Sequence, residues 1–227
     1  MVQQKAWGKE SAEERASKCL QGLKKNNLNG YYFPNRNEAL EHILGKIPST
    51  ATVGFGDSVT VQQIGLAAAL YDRGQRLISP FWDDDPRTYV LRATSKALQA
   101  MRDALFADYF VAGINAITLD GKIVNTDGYG NRVGAIVFGP RRVILVAGVN
   151  KIVTNEEQAR ERIKKIAAPL NVRRHQLEYG MEIGLPCALT GECVDCDSCS
   201  ICAFTVIIER EYEPRIEVVL IGEKLGL

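Results

Sequence analysis

The run Arg141-Arg142-Val143-Ile144-Leu145-Val146-Ala147-Gly148-Val149-Asn150 constrains the fold more than any other part of the chain. A strand with one wet face alternates apolar and polar residues; this one is apolar at both parities, so it needs cover on both faces. Helical patterns flank it along the sequence. Ser11 and Glu14 form a capping box ahead of Ala12, Ala16, Cys19, Leu20 and Leu23, where Cys19 reads as a core residue. Tyr31-Tyr32-Phe33 reads as a short strand, and Asn35 with Glu38 starts a helix carrying Leu40, Ile43, Leu44 and Ile47, with His42 in a structural place beside that stripe. Ala51 to Phe55 predicts a strand, Val59 to Tyr71 a helix and Arg76 to Ser79 a returning strand, which together make a βαβ unit.

The second half is richer in strands. Past Asp83, Asp84 and Asp85, which read as a solvated loop rather than a cation site, an amphipathic helix is expected to carry Val90, Leu91, Ala97, Leu98, Met101, Leu105 and Phe106. Asp120-Gly121 between two apolar runs predicts a hairpin with a type I′ turn. Thr154 and Glu157 cap a charged helix that is expected to end at Pro169, and two β-rich runs close the chain. Strands alternating with helices around a doubly covered run predict a three-layer α/β sandwich with a largely parallel sheet, one domain over residues 1–227.

Composition removes several classes of function. With 46% apolar and 24% charged residues the chain is expected to fold, and 28 basic against 27 acidic residues mark neither a nucleic-acid surface nor a polybasic membrane anchor. No apolar stretch reaches the ~20 residues of a membrane span, and the opening MVQQKAWGKESAEERASK is too polar for a secretory leader. A cytoplasmic protein with a small anionic metabolite as partner is the expectation, and self-association is left open.

Five of the six cysteines, Cys187, Cys193, Cys196, Cys199 and Cys202, fall within residues 186–203. Three successive CxxC steps are close to the spacing by which thiolates surround an iron–sulfur cluster. Four thiols would equally make a tetrahedral zinc site, and reduced or paired thiols are the remaining alternative.

Two further constellations point to a ligand. Gly54, Gly56, Asp57, Ser58 and Thr60 lie at a strand-to-helix junction, where glycines admit a close approach and hydroxyls donate, although the P-loop and dinucleotide fingerprints are both missing. A glycine turn capped by Asp57 or Ser58 is the plainer alternative. Asn115, Asn125, Asp127, Asn131, Arg132, Asn150 and Lys151 each sit near the end of an apolar run. Convergence of these loops would suit an anionic or carbonyl substrate, with Asp127 as general base and Lys151 or Arg132 as electrophilic clamp. Turn chemistry alone accounts for each singly.

In four segments the chain resembles the LUD-domain family, the lactate-utilisation or YkgG-type proteins. They are GFGDSVTVQQIG at 54–65, GINAITLDGKIVNTDGYGNRVGAIVFGP at 113–140, GVNKIVTNEEQARERIKKIAAPLN at 148–171 and PCALTGECVDC at 186–196. The resemblance implies a Rossmann-like fold similar to the NagB/RpiA/CoA-transferase group, with ligands at strand carboxyl ends and a Cys-rich insertion. It implies a part in oxidising L-lactate to pyruvate beside partner iron–sulfur proteins. It matches Cys187, Cys193, Cys196 and Cys202 to the family's pattern and leaves Cys199 additional. No flavin or nicotinamide fingerprint accompanies it. A scaffold or regulatory subunit with a structural metal, and an enzyme acting on a phosphosugar or CoA thioester, are the alternatives.

Overall fold

The structure, a computed structural model, describes residues 10–89, 94–179, 184–194 and 201–227. Its elements in order are α1 (Ala12–Lys25), β1 (Asn29–Phe33), α2 (Arg36–Lys46), β2 (Thr52–Phe55), α3 (Val59–Gln63), α4 (Leu66–Asp72), β3 (Arg76–Ile78), α5 (Ser95–Asp103) and β4 (Tyr109–Gly113). Then come β5 (Ala116–Thr118), β6 (Ile123–Asp127), α6 (Asn131–Phe138), β7 (Arg142–Gly148), β8 (Ile152–Val153), α7 (Glu156–Arg162), α8 (Ala168–Tyr179), α9 (Pro186–Thr190), β9 (Phe204–Ile208) and β10 (Ile216–Ile221). Ser11 and Glu14 close the capping box of α1, and Asn35 caps α2.

Six strands in the order β1-β10-β7-β4-β2-β3 form a parallel sheet. The apolar run is β7, near its centre, and its two faces feed two cores. Val143, Leu145 and Ala147 pack with Ala16, Cys19 and Leu23 of α1 and Ile136 of α6. Ile144 and Val146 pack with Ile43 of α2, Val61 of α3 and Leu70 of α4. This is the three-layer α/β sandwich that double burial demands. From β2 the chain runs outward to the edge strand β3, then returns by way of α5 to β4 on the other side of β2. Neighbouring connections therefore diverge between β2 and β4, and a crevice opens beyond their carboxyl ends.

The hairpin does not join this sheet. β5 and β6 pair antiparallel within a second, four-stranded sheet of order β8-β5-β6-β9. One face, with Ile117, Ile123 and Ile152, shares the core of α1; the other, with Ala116, Val124 and Val153, packs on Ala159 of α7. The turn also differs from the type I′ expectation: Thr118 faces Lys122 across Leu119, Asp120 and Gly121, and of these only Gly121 has positive φ, at 83°. A three-residue loop ending in a left-handed glycine is the alternative hairpin solution. Here the Thr118 side chain selects it, accepting from the amide of Lys122 and donating to Asp120.

Other expectations change at helix ends. The predicted helix over Val59–Tyr71 breaks into α3 and α4 at Gly65, which takes a φ of 71°. Thr154 does not cap α7; Asn155 does, accepting from the amide of Gln158. α5 begins at Ser95 behind Thr94, and Phe106, expected on its apolar face, is exposed; Val90 and Leu91 lie outside the described residues. Pro169 does not terminate its helix. α7 runs through a π-helical turn, Ile163–Ala167, into α8. Proline removes a donor and crowds the carbonyl four residues back, and the wider turn ahead of Pro169 relieves both demands.

Candidate anion-binding site

Each wall of the crevice grows from the end of a strand or from α8. After β2 the amide of Gly56 bonds the carbonyl of Val111 at 2.9 Å, which ties the glycine turn to β4. Ser58 then caps α3, its hydroxyl accepting from the amide of Val61 at 3.2 Å. Asp57, beside it, accepts from the Tyr89 hydroxyl at 2.6 Å and from the Arg174 guanidinium, with His175 Nε2 at 3.2 Å. Burial pushes this carboxyl up, but the hydrogen bond from His175, with the charge and hydrogen bonds of Arg174 and Tyr89, holds it well below the usual carboxylate range.

The hairpin and α6 make the second wall. Arg132 is buried and its guanidinium donates to the carbonyls of Gly113 and Thr126 at 3.3 and 2.6 Å and to Oδ1 of Asn125 and Asn115 at 3.1 and 3.2 Å. These four acceptors are neutral, and the nearest opposite charge is the carboxylate of Asp127. Asp127 stands 4.0 Å from Arg132 Nε and spends both carboxylate oxygens on backbone amides, those of Gly128, Arg132 and Val133. In this geometry it caps the first turn of α6. Asn125 Nδ2 is a buried donor with no partner among the described residues.

A single 3-10 turn after β7 delivers Lys151, which is 5% exposed. Its Nζ donates to Thr60 Oγ1 at 2.9 Å. Among the described residues no carboxylate pairs with it. Burial above all, then the charges of Arg162 and Arg132, push the amine well below the ordinary lysine value. Arg162 is equally buried; it donates to the carbonyls of Asn150, Asn115 and Leu227, and burial lowers it to about 10.

These groups enclose a cavity of about 410 Å³. Of the expected ligand residues Asp57, Ser58, Asn115, Asp127, Asn131, Arg132 and Lys151 line it. Gly54, Gly56, Thr60, Asn125 and Asn150 stand behind the wall, where Thr60 and Asn125 hold Lys151 and Arg132, and Asn150 binds the amide of Leu225. Among the lining residues that are not evident from the sequence are Asn171, Arg174 and His175 of α8. From sequence His175, beside Arg173 and Arg174, reads as a surface histidine rather than a substitute metal ligand; it is instead buried against Asp57. The run Arg173-Arg174-His175 is the signal the sequence offers, and it counts only once the helix continues past Pro169. Phe81, Met101, Ile114, Ile163 and Ile201 complete the walls with apolar surface. Arg132, Lys151 and Arg174 thus outnumber the two lining aspartates, of which Asp57 pairs with Arg174 and Asp127 stands beside Arg132, and the polar lining suits an anion.

Of the cysteines, Cys202 lines the same cavity; Cys187 is buried with Val172, Leu185 and Ala188; and the amide of Cys193 bonds the carbonyl of Lys164 at 3.0 Å. Cys196 and Cys199 lie outside the described residues, among which no three His, Cys, Asp or Glu side chains gather as a metal site. Among the described residues no helix is long and apolar enough to cross a membrane.

A solved structure of a DUF162 family protein from Deinococcus radiodurans is similar over 94% of this chain and 99% of that one, with a TM-score of 0.52 at 14% identity, a likeness of fold. No match was found among curated proteins. The LUD domain pattern matches residues 16–221. By that match, which spans both sheets and Arg132, Lys151 and Arg174 of the cavity, the chain belongs to the LUD-domain family.

Proposed function

We propose that this protein binds a small organic-acid anion in the crevice beyond β2 and β4, as a component of the oxidation of L-lactate to pyruvate. One observation carries the reading: three basic side chains, Arg132, Lys151 and Arg174, line a single cavity beside two aspartates, Asp57 and Asp127. The family's association with lactate utilisation supports the choice of acid. The carboxylate would pair with the guanidinium groups, and the apolar wall would take the carbon chain. At about 410 Å³ the cavity exceeds a three-carbon acid, leaving room for a second reactant. Oxidation of lactate releases two electrons, and in this reading partner iron–sulfur proteins take them up.

The cysteine segment fits this scheme by donor type, since Cys187, Cys193, Cys196 and Cys202, with Cys199 additional, offer enough thiolates for a cluster or a zinc ion. A cluster held there would supply electron transfer, whereas zinc would only brace the segment. Iron and zinc content of anaerobically purified protein separates the two.

Thermal denaturation with L-lactate, pyruvate, a sugar phosphate and CoA tests the ligand. A ligand at 100 times its Kd stabilises by about 2.7 kcal/mol. Stabilisation by lactate or pyruvate is the expected result. A response confined to the sugar phosphate or to CoA would transfer the site to those substrates, and silence from all four with tight binding to a protein partner would favour a scaffold.

A further inference from the structure

Lys151 has a setting that anion binding alone does not require. Lys151 lines the cavity, its amine is bonded to a hydroxyl rather than a carboxylate, and it shares the neighbourhood with the guanidinium groups of Arg132 and Arg162. A cation meant only to attract an anion is better served by arginine, which stays charged when buried. A lysine between two guanidinium groups is instead driven toward the free amine, the form that attacks carbonyl carbon.

We propose that Lys151 is a covalent nucleophile that captures a 2-oxo acid as an imine, with the acid's carboxylate held by the guanidinium groups of the same cavity. The inference rests on the anion-binding reading and adds a reaction to it. The Nζ lone pair attacks the C2 carbonyl carbon as the carbonyl π bond breaks, and the oxygen takes a proton to give a carbinolamine. Loss of that oxygen as water, with a second proton, leaves the C=N bond. Amine and ketone become imine and water, and nothing is oxidised or reduced. Thr60, whose Oγ1 lies 2.9 Å from Nζ, orients the amine and can relay the proton that nitrogen gives up. A 2-hydroxy acid has no ketone at C2 to attack and binds there only by charge.

Borohydride reduction of the full chain in the presence of pyruvate tests the step, read by intact mass and peptide mapping. One N-carboxyethyl group per chain, located on Lys151, is expected, with none when L-lactate replaces pyruvate and none on K151M or K151R. No adduct, or adducts scattered over surface lysines, overturns the proposal. Calorimetry of pyruvate and L-lactate on the same protein separates the two readings. Binding of both acids without an adduct removes the imine and leaves the anion site, whereas binding of neither removes both. Because the mapping is done on the unaltered protein, it decides the matter even where a variant folds poorly.

Discussion

The amine of Lys151 and the carboxyl of Asp57 both sit in the cavity wall, yet they should contribute to stability with opposite sign. Lys151 has no carboxylate partner among the described residues, and its folded value lies below the ordinary 10.5, so between those values the unfolded chain holds more protons. Stability should therefore rise with pH through that window, and below it the full cost of the buried charge applies. Replacing Lys151 by Met removes the cost. K151M is expected to be as stable as the parent at neutral pH or more stable by about 1–4 kcal/mol, and to lose the alkaline rise, while binding of organic acids falls. Urea denaturation at neutral and alkaline pH checks this, and a K151M chain clearly less stable than the parent would mean the lysine is a structural asset. Asp57 behaves as a paired carboxylate with a depressed folded value, so its contribution is present above the unfolded value and drains away as pH falls below about 4. D57N removes the carboxylate that Arg174 and His175 both contact, which should cost about 3 kcal/mol and flatten the acid limb of the stability profile. An unchanged acid limb in D57N would show that Asp57 does not anchor α8.

At the scale of elements, the hairpin loop docks on α1 through two glycines. A Cβ on Gly121 would overlap the backbone of Gly22 and Leu23, and one on Gly22 would overlap that of Asp120 and Gly121. Gly121 also holds a φ of 83°, so G121A meets a conformational penalty and a clash together and should destabilise by about 2–4 kcal/mol. A far-ultraviolet melt checks it; a loss under about 1 kcal/mol, what left-handed backbone alone costs, would mean the loop lifts off α1 without consequence. The Asp-Gly pair announced the hairpin from sequence but not its length, because the turn is chosen by the Thr118 side chain and by contact with a helix some hundred residues earlier in the chain. The strands and their capped helices were legible for the reason that capping is local: Ser11, Asn35 and Ser58 each act on amides within three residues. Pro169 was misleading since its effect depends on the turn before it, and with the helix went Arg174 and His175.

For the molecule as a whole, the cavity is a meeting of segments that no local pattern joins. Sequence identified residues at the ends of β2, β6 and β7 as polar, and they could be read because a strand's apolar run stops where its polar tip begins; which tips would face one another depends on strand order, set by packing across the β2 and β4 divergence. Hence Ser58, Asn131 and Lys151 share one space, while Asn150, equally polar and adjacent in sequence, turns away to bind the amide of Leu225. The same geometry gives a prediction that no single wall can satisfy. A ligand seated among Arg132, Lys151 and Arg174 restrains both sheets and α8 at once, since these side chains stem from α6, the end of β7 and α8. Amide exchange with saturating pyruvate should slow together in residues 56–60, 113–115, 126–133, 149–152 and 168–176, with little change in α2 or β1 on the far side. Protection confined to one of these segments would place the ligand on an outer surface, and protection in the first four without 168–176 would show that α8 supplies Arg174 to Asp57 as a brace and not to the bound acid.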